Sequence, residues 1–84
     1  MSKPIKNVEE REYCTIVLTD DGETYYVDSA DTYDAGYETM VFHWNNRRDE
    51  VDDWIDLYAE HYKTEKDMEK GHERICSNLE KYLI

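Results

Sequence analysis

Between Glu12 and Asn46 the chain has no lysine and no arginine, while the same stretch holds eight acidic residues: Glu12, Asp20, Asp21, Glu23, Asp28, Asp31, Asp34 and Glu38. The whole chain of 84 residues carries a net charge of −11. A field of that sign and concentration repels phosphate and anionic lipid and attracts cationic surfaces, so direct binding of nucleic acid or membrane is not expected. The one dibasic step, Arg47-Arg48, is followed by acids. Proline occurs once and glycine three times, and no glycine-rich loop suited to cradling a phosphate is present. The two cysteines, Cys14 and Cys76, match no metal or redox spacing. They read as two buried thiols of a reduced, cytoplasmic protein, with a single disulfide between them as the alternative. No apolar run approaches the roughly 20 residues of a membrane span. Met1-Ser2-Lys3-Pro4 opens without the apolar stretch of a signal peptide.

Aromatic residues are plentiful: two Trp, eight Tyr and one Phe. They separate this acidic chain from a disordered one, because buried rings offset chain entropy even in a small fold. Residues 1–10 are polar and read as a flexible arm, with 11–84 as one domain. Strands are predicted at 13–19, 24–28 and 37–44. In the first, Cys14, Ile16 and Leu18 alternate with Tyr13, Thr15 and Val17, a strand covered on both faces. Asp21-Gly22 suits the hairpin turn that follows. In the third, Met40, Phe42 and Trp44 share a face. Val51, Trp54, Ile55, Tyr58 and Tyr62 recur at helical spacing and predict a short helix at 49–59, against a loop followed by a strand at 57–63.

The C-terminal segment predicts a helix at 65–83. Thr64 is a suitable N-cap, and Glu65 and Asp67 suit the positive end of the helix dipole. Met68, His72, Ile75, Cys76, Leu79, Tyr82 and Leu83 form one apolar stripe. Gly71 lies inside that helix at a cost of about 1 kcal/mol relative to Ala, which a close approach to the sheet would explain. The fold class that follows is α+β: an antiparallel sheet of about three strands with the C-terminal helix across one face.

Catalytic and metal sites are not expected, and no cofactor is implied. His43, His61 and His72 fall in no Ser-His-Asp order and no metal-ligand pair. Cys14 and His43 on neighbouring strands form a thiol–imidazole pair only in an activating environment. The spacing of Asp28, Asp31 and Asp34 is not that of a calcium loop, and Asp49–Asp53 lacks the loop glycine. His72 reads as a core histidine bonded to backbone. Tyr13, Tyr26, Tyr37 and Tyr82 are expected to pack, and Tyr25, Tyr33 and Tyr58 to stand exposed among acids, as on a face for a basic partner.

Tyr37-Glu38-Thr39-Met40-Val41-Phe42, then Tyr62-Lys63-Thr64-Glu65, then Gly71-His72 resemble a pattern in small uncharacterised phage and prophage proteins, over about the last half of the chain. The resemblance implies a mobile-element origin rather than an activity. Small acidic phage proteins include inhibitors of host defence nucleases, among them anti-CRISPR proteins, and this is an analogy of class. Alternate carboxylates on a strand stand about 6.6 Å apart, of the same order as the roughly 3.4 Å rise between phosphates of a DNA strand.

Two readings follow. In the first, the chain is an inhibitor that mimics nucleic acid in the basic groove of a host defence protein such as a CRISPR effector nuclease. Its contacts would be Asp20, Asp21, Glu23, Asp28, Asp31, Asp34 and Glu38, with Asp49, Glu50, Asp52 and Asp53 as a second cluster and Tyr25 and Tyr33 beside them. In the second, it is a non-enzymatic interaction or regulatory module that uses an aromatic face.

Overall fold

The structure, a computed structural model, describes residues 1–32, 34 and 36–83. Its elements in chain order are β1 (Lys3–Asn7), a 3-10 turn (Val8–Glu10), β2 (Cys14–Leu18), β3 (Thr24–Thr32), β4 (Gly36–Asn45), β5 (Glu50–Val51), β6 (Tyr58–Tyr62), α1 (Glu65–Ser77) and α2 (Leu79–Tyr82). All strand pairings are antiparallel, in the order β1-β2-β3-β4. β5 and β6 both lie on the outer edge of β4, β5 at Trp44 and Asn45 and β6 along Tyr37–Val41. The α+β architecture and the C-terminal helix follow the sequence reading, but the sheet has six strands among the described residues, not three.

The three extra strands have a common cause. β2 and β4 would otherwise expose rows of unpaired backbone N–H and C=O groups, and edge pairing satisfies them. β1 forms from residues read as a loose arm. Its side chains are all exposed, so it carries no hydrophobic period, and its order comes from backbone pairing to β2. The short helix predicted at 49–59 is absent. In its place are β5, an irregular connection and β6, which is the alternative of a loop and a strand near 57–63. Val51, Tyr58 and Tyr62 sit on these strands, while Trp54 and Ile55 are each 70 % exposed, so the helical spacing did not mark one buried face. Pairing with β4 outweighs local propensity here.

Strand alternation divides the core in two. On the helix side, Val17, Tyr25, Val27 and Val41 pack against Ile75, Cys76 and Leu79. On the other side, Cys14, Ile16, Tyr26 and Phe42 cluster with Val8, Met40, Trp44 and Val51. Cys14 and Cys76 are free, buried thiols on opposite faces of the sheet. The β2–β3 turn closes with Gly22 N–H donating to Thr19 C=O and Thr19 N–H to Glu23 C=O, with Gly22 at φ +86°, a left-handed corner that glycine takes without strain.

Thr64 caps α1 by accepting from Asp67 N–H at 3.1 Å. Gly71 fulfils the expected close approach: a Cβ there would lie within 2.5 Å of ring carbons Cε1 and Cζ of Tyr62. The single helix predicted at 65–83 breaks at Asn78 into α1 and α2. Ser2 fills the break, its hydroxyl donating to Cys76 C=O and accepting from Leu79 N–H, both at 2.7 Å. These are orphan groups of a helix end and a helix start, and one buried hydroxyl serves both.

Candidate protein-binding surface

The predicted acidic residues do not form one row. Register pairs Tyr25 with His43, and Thr24 Oγ1 donates to Trp44 C=O at 3.1 Å. The turn bearing Asp20, Asp21 and Glu23 therefore adjoins the end of β4, from which the chain continues to Asp49, Glu50, Asp52 and Asp53. Asp31 pairs across from Tyr37 at the opposite end of the β3–β4 ladder, with Glu38 beside it and Asp34 in the connection. Asp28 lies between, half-buried, directly across from Cys14 and Met40 on the face away from the helix.

Several of these carboxylates hold the fold. Asp21 accepts from the Thr19 hydroxyl and from Glu23 N–H, and these bonds, the hydroxyl's first, hold its carboxyl below the usual range. Asp20 meets the N-terminal ammonium group of Met1. Asp28 accepts from the Cys14 thiol at 3.3 Å, and Glu38 meets His61 Nε2 at 2.9 Å. Asp49 pairs with Lys6 at 3.1 Å, and Glu50 lies 3.9 Å from Arg48. Asp53 Oδ1 accepts from Ile55 N–H at 3.1 Å, and Asp52 accepts from Asn45 at 3.3 Å. Glu23, Asp31 and Asp34 have no ion-pair partner among the described residues.

The tyrosine assignments need correction. Tyr25, expected as an exposed contact, is only 8 % exposed and belongs to the core under the helix. Both faces of the sheet are covered at β3, so consecutive Tyr25 and Tyr26 are each buried, one per face. Burial raises the pKa of both hydroxyls. Tyr58 is half-buried, packing against Tyr82 with ring centroids 4.9 Å apart while its hydroxyl donates to the Glu60 carboxylate at 2.8 Å. Tyr33 lies outside the described residues.

The face away from the helix carries an aromatic cluster, buried at Phe42 and Tyr26 and open to solvent at Trp54. Phe42 and Tyr26 stack at 6.3 Å between ring centroids, and Trp54 stands edge-on to Phe42 at 5.2 Å and to Tyr26 at 6.5 Å. Trp44 lies 5.8 Å from Tyr26, with the Lys6 ammonium 6.0 Å above its ring. The segment bearing Trp54 is tied at both ends to β4: Asp52 N–H donates to His43 C=O at 2.9 Å and Leu57 N–H to Val41 C=O at 2.7 Å. Trp54 and Ile55 were read as members of a helical stripe. The missed signal was their flanks, since Asp52, Asp53 and Asp56 enclose them.

Beneath the helix lies a polar relay. His72 Nε2 is 2.9 Å from Thr15 Oγ1, and Nδ1 is 2.6 Å from Ser29 Oγ. Ser29 Oγ is 2.6 Å from Thr39 Oγ1, which accepts from the Tyr62 hydroxyl at 3.1 Å. Thr15 donates its one hydrogen to Asn7 Oδ1 at 3.0 Å, so it accepts from His72, and Nε2 carries the ring proton. Nδ1 then accepts from Ser29, and the whole relay runs in one direction from Tyr62 to Asn7. His72 is thus a core histidine, as expected, but its partners are hydroxyls rather than backbone. Burial pushes its pKa down to about 4.

Cys14 and His43 do not meet: Cys14 points to the aromatic face and His43 stacks on Tyr25 at 5.1 Å, on the helix side. Burial raises the Cys14 thiol and pushes that of Cys76 up to about 12, the opposite of an activated nucleophile. Among the described residues, no three His, Cys, Asp or Glu side chains converge to hold a metal ion, and no helix is long and apolar enough to cross a membrane. Comparison with protein-family models, curated proteins and solved structures finds no match to this chain.

Proposed function

We propose that this chain is a non-enzymatic, acidic binding protein that occupies the basic nucleic-acid groove of another protein. The observation that carries this reading is the cation-free stretch from Glu12 to Asn46, folded so that exposed Glu23 and exposed Asp31 and Asp34 stand at opposite ends of one hairpin. From Thr24 to Asp31 the strand advances about 23 Å at its usual rise. That matches the axial rise of about seven nucleotides. A groove that holds a nucleic-acid strand already has Lys and Arg spaced to meet both ends. With its resemblance to small phage proteins over about the last half of the chain, it fits an inhibitor of a host defence nuclease of the CRISPR effector kind. Its compartment would be the host cytoplasm, where thiols such as Cys14 and Cys76 stay reduced.

The test is charge reversal at Asp31→Lys with Asp34→Lys. Exposed substitutions of this kind change stability by about 0.5 kcal/mol or less. If these carboxylates enter a basic groove, capture of the partner from native-host lysate falls by orders of magnitude while the circular dichroism spectrum stays native. Wild-type capture should also weaken steeply with added salt. Undiminished capture by the doubly reversed variant, or micromolar binding of the wild type to DNA or RNA at physiological salt, would remove the mimic reading. The aromatic surface around Trp54 supports the second reading, an interaction module that binds mainly through apolar contact.

A further inference from the structure

We infer that the segment Asp52–Leu57 is an anchor that seats Trp54 and Ile55 against an apolar strip bordered by lysine or arginine on a basic amphipathic segment of a partner protein. This deepens the proposed function by naming where an acidic ligand of a basic groove gains its affinity. Charge attraction steers and orients, and desolvated aromatic anchors supply much of the binding free energy.

Three observations support it. Trp54 and Ile55 are each 70 % exposed and Leu57 is 40 % exposed, so three large apolar side chains within four residues meet solvent. Large exposed apolar residues grouped in one short segment point to an interaction surface more than singly scattered ones do. The segment is also pre-ordered. Its ends are bonded to the β4 carbonyls of His43 and Val41, the Asp53 carboxylate accepts from Ile55 N–H, and Trp54 rests edge-on against Phe42. An anchor already held in place loses little entropy on binding.

Next, the surroundings choose the occupant. Asp52, Asp53 and Asp56 flank the apolar pair in sequence, and Asp28 and Glu38 lie on the same face of the sheet. A second copy of the chain would bring the same acids face to face, and an anionic bilayer would be repelled in the same way. A segment with apolar side chains in the middle and cations on its borders satisfies both features at once. The indole Nε1 of Trp44 on this face is buried without a hydrogen-bond partner among the described residues, so Trp44→Phe breaks no hydrogen bond and leaves Trp54 as the single tryptophan reporter.

The experiment uses the full chain and two synthetic probes: an amphipathic peptide of leucine and lysine at helical spacing, and an oligolysine of equal charge. Calorimetric titration at low salt should show the amphipathic probe binding about tenfold or more tightly than oligolysine. Trp54→Ala should weaken the amphipathic probe by about 30-fold, the effect of a central aromatic anchor, and leave oligolysine unchanged. In a Trp44→Phe background, Trp54 emission should shift to the blue with the amphipathic probe alone. Ile55→Ser carries the same test should Trp54→Ala fail to fold. Equal affinity for both probes, or a Trp54→Ala variant that binds the amphipathic probe like the wild type, overturns the anchor while the acidic reading stands. Failure of both probes to bind at low salt overturns both. A dimer in sedimentation that Trp54→Ala dissolves would assign the patch to self-association and overturn the inference.

Discussion

Lowering the pH from 7 to 4 should destabilise the protein through His72 in particular. The ring is 4 % exposed, and both nitrogens are engaged with neutral hydroxyls. A second ring proton would enter a buried site with no carboxylate in contact with the imidazole among the described residues and would turn Nδ1 from acceptor to donor against Ser29. Burial accordingly holds the folded-state pKa at about 4, below the 6.5 of an unfolded histidine. The folded state binds fewer protons between those values. The contribution is therefore complete above pH 6.5, is lost as pH falls from 6.5 toward 4, and levels off below 4. The full loss is about 3 kcal/mol, with about 2 kcal/mol gone by pH 5, against about 5–10 kcal/mol for a domain of this size. Urea unfolding of wild type and His72→Gln at pH 7.5, 6, 5 and 4.5 measures it as the difference between the two pH profiles, which removes the contributions of the surface carboxylates. The wild type should lose its advantage over the variant as the pH drops. Parallel profiles would refute the argument, as would a ring nitrogen NMR spectrum with the proton on Nδ1 at neutral pH.

Other substitutions test the packing. Gly71→Ala should lower stability by about 1–3 kcal/mol despite its gain in helix propensity, because the new methyl group overlaps Tyr62 and dislodges its bond to Thr39. In a Tyr62→Ala background the same change should stabilise, and a chemical denaturation cycle will show the reversal of sign. Ser2→Ala leaves Cys76 C=O and Leu79 N–H without their buried partner and should cost about 1–3 kcal/mol, seen as an earlier unfolding midpoint. Leu79→Ala empties a fully buried site between helix and sheet and should cost about 2–5 kcal/mol; a melting shift of only a degree or two would place Leu79 outside the core.

What the sequence revealed and what it concealed divide along a physical line. The central strands, the Thr64 cap, the helix stripe and the purpose of Gly71 were legible because side chains determine them, through alternation, a capping oxygen, a 3.6-residue period and a missing Cβ. β1 and Ser2 were not, because what orders them is the need of other segments. The edge of β2 needs backbone partners, and the break after α1 needs a hydroxyl; neither need leaves a pattern in Met1–Asn7. The stretch from Val51 to Tyr62 misled for a related reason. Its apolar residues fit a helical period, yet two of them, Trp54 and Ile55, stay 70 % exposed, with Trp54 only edge-on to Phe42 and Tyr26. A period counts apolar residues without asking whether each has somewhere to be buried. Only the outer edge of β4, with ladder positions for Glu50–Val51 and Tyr58–Tyr62, decides the matter. Once those strands are paired, the residues between them are left outside the sheet, and the acids around Trp54 keep that exposed indole in water. The same residues that broke the prediction thus define the surface on which a basic partner would be tested.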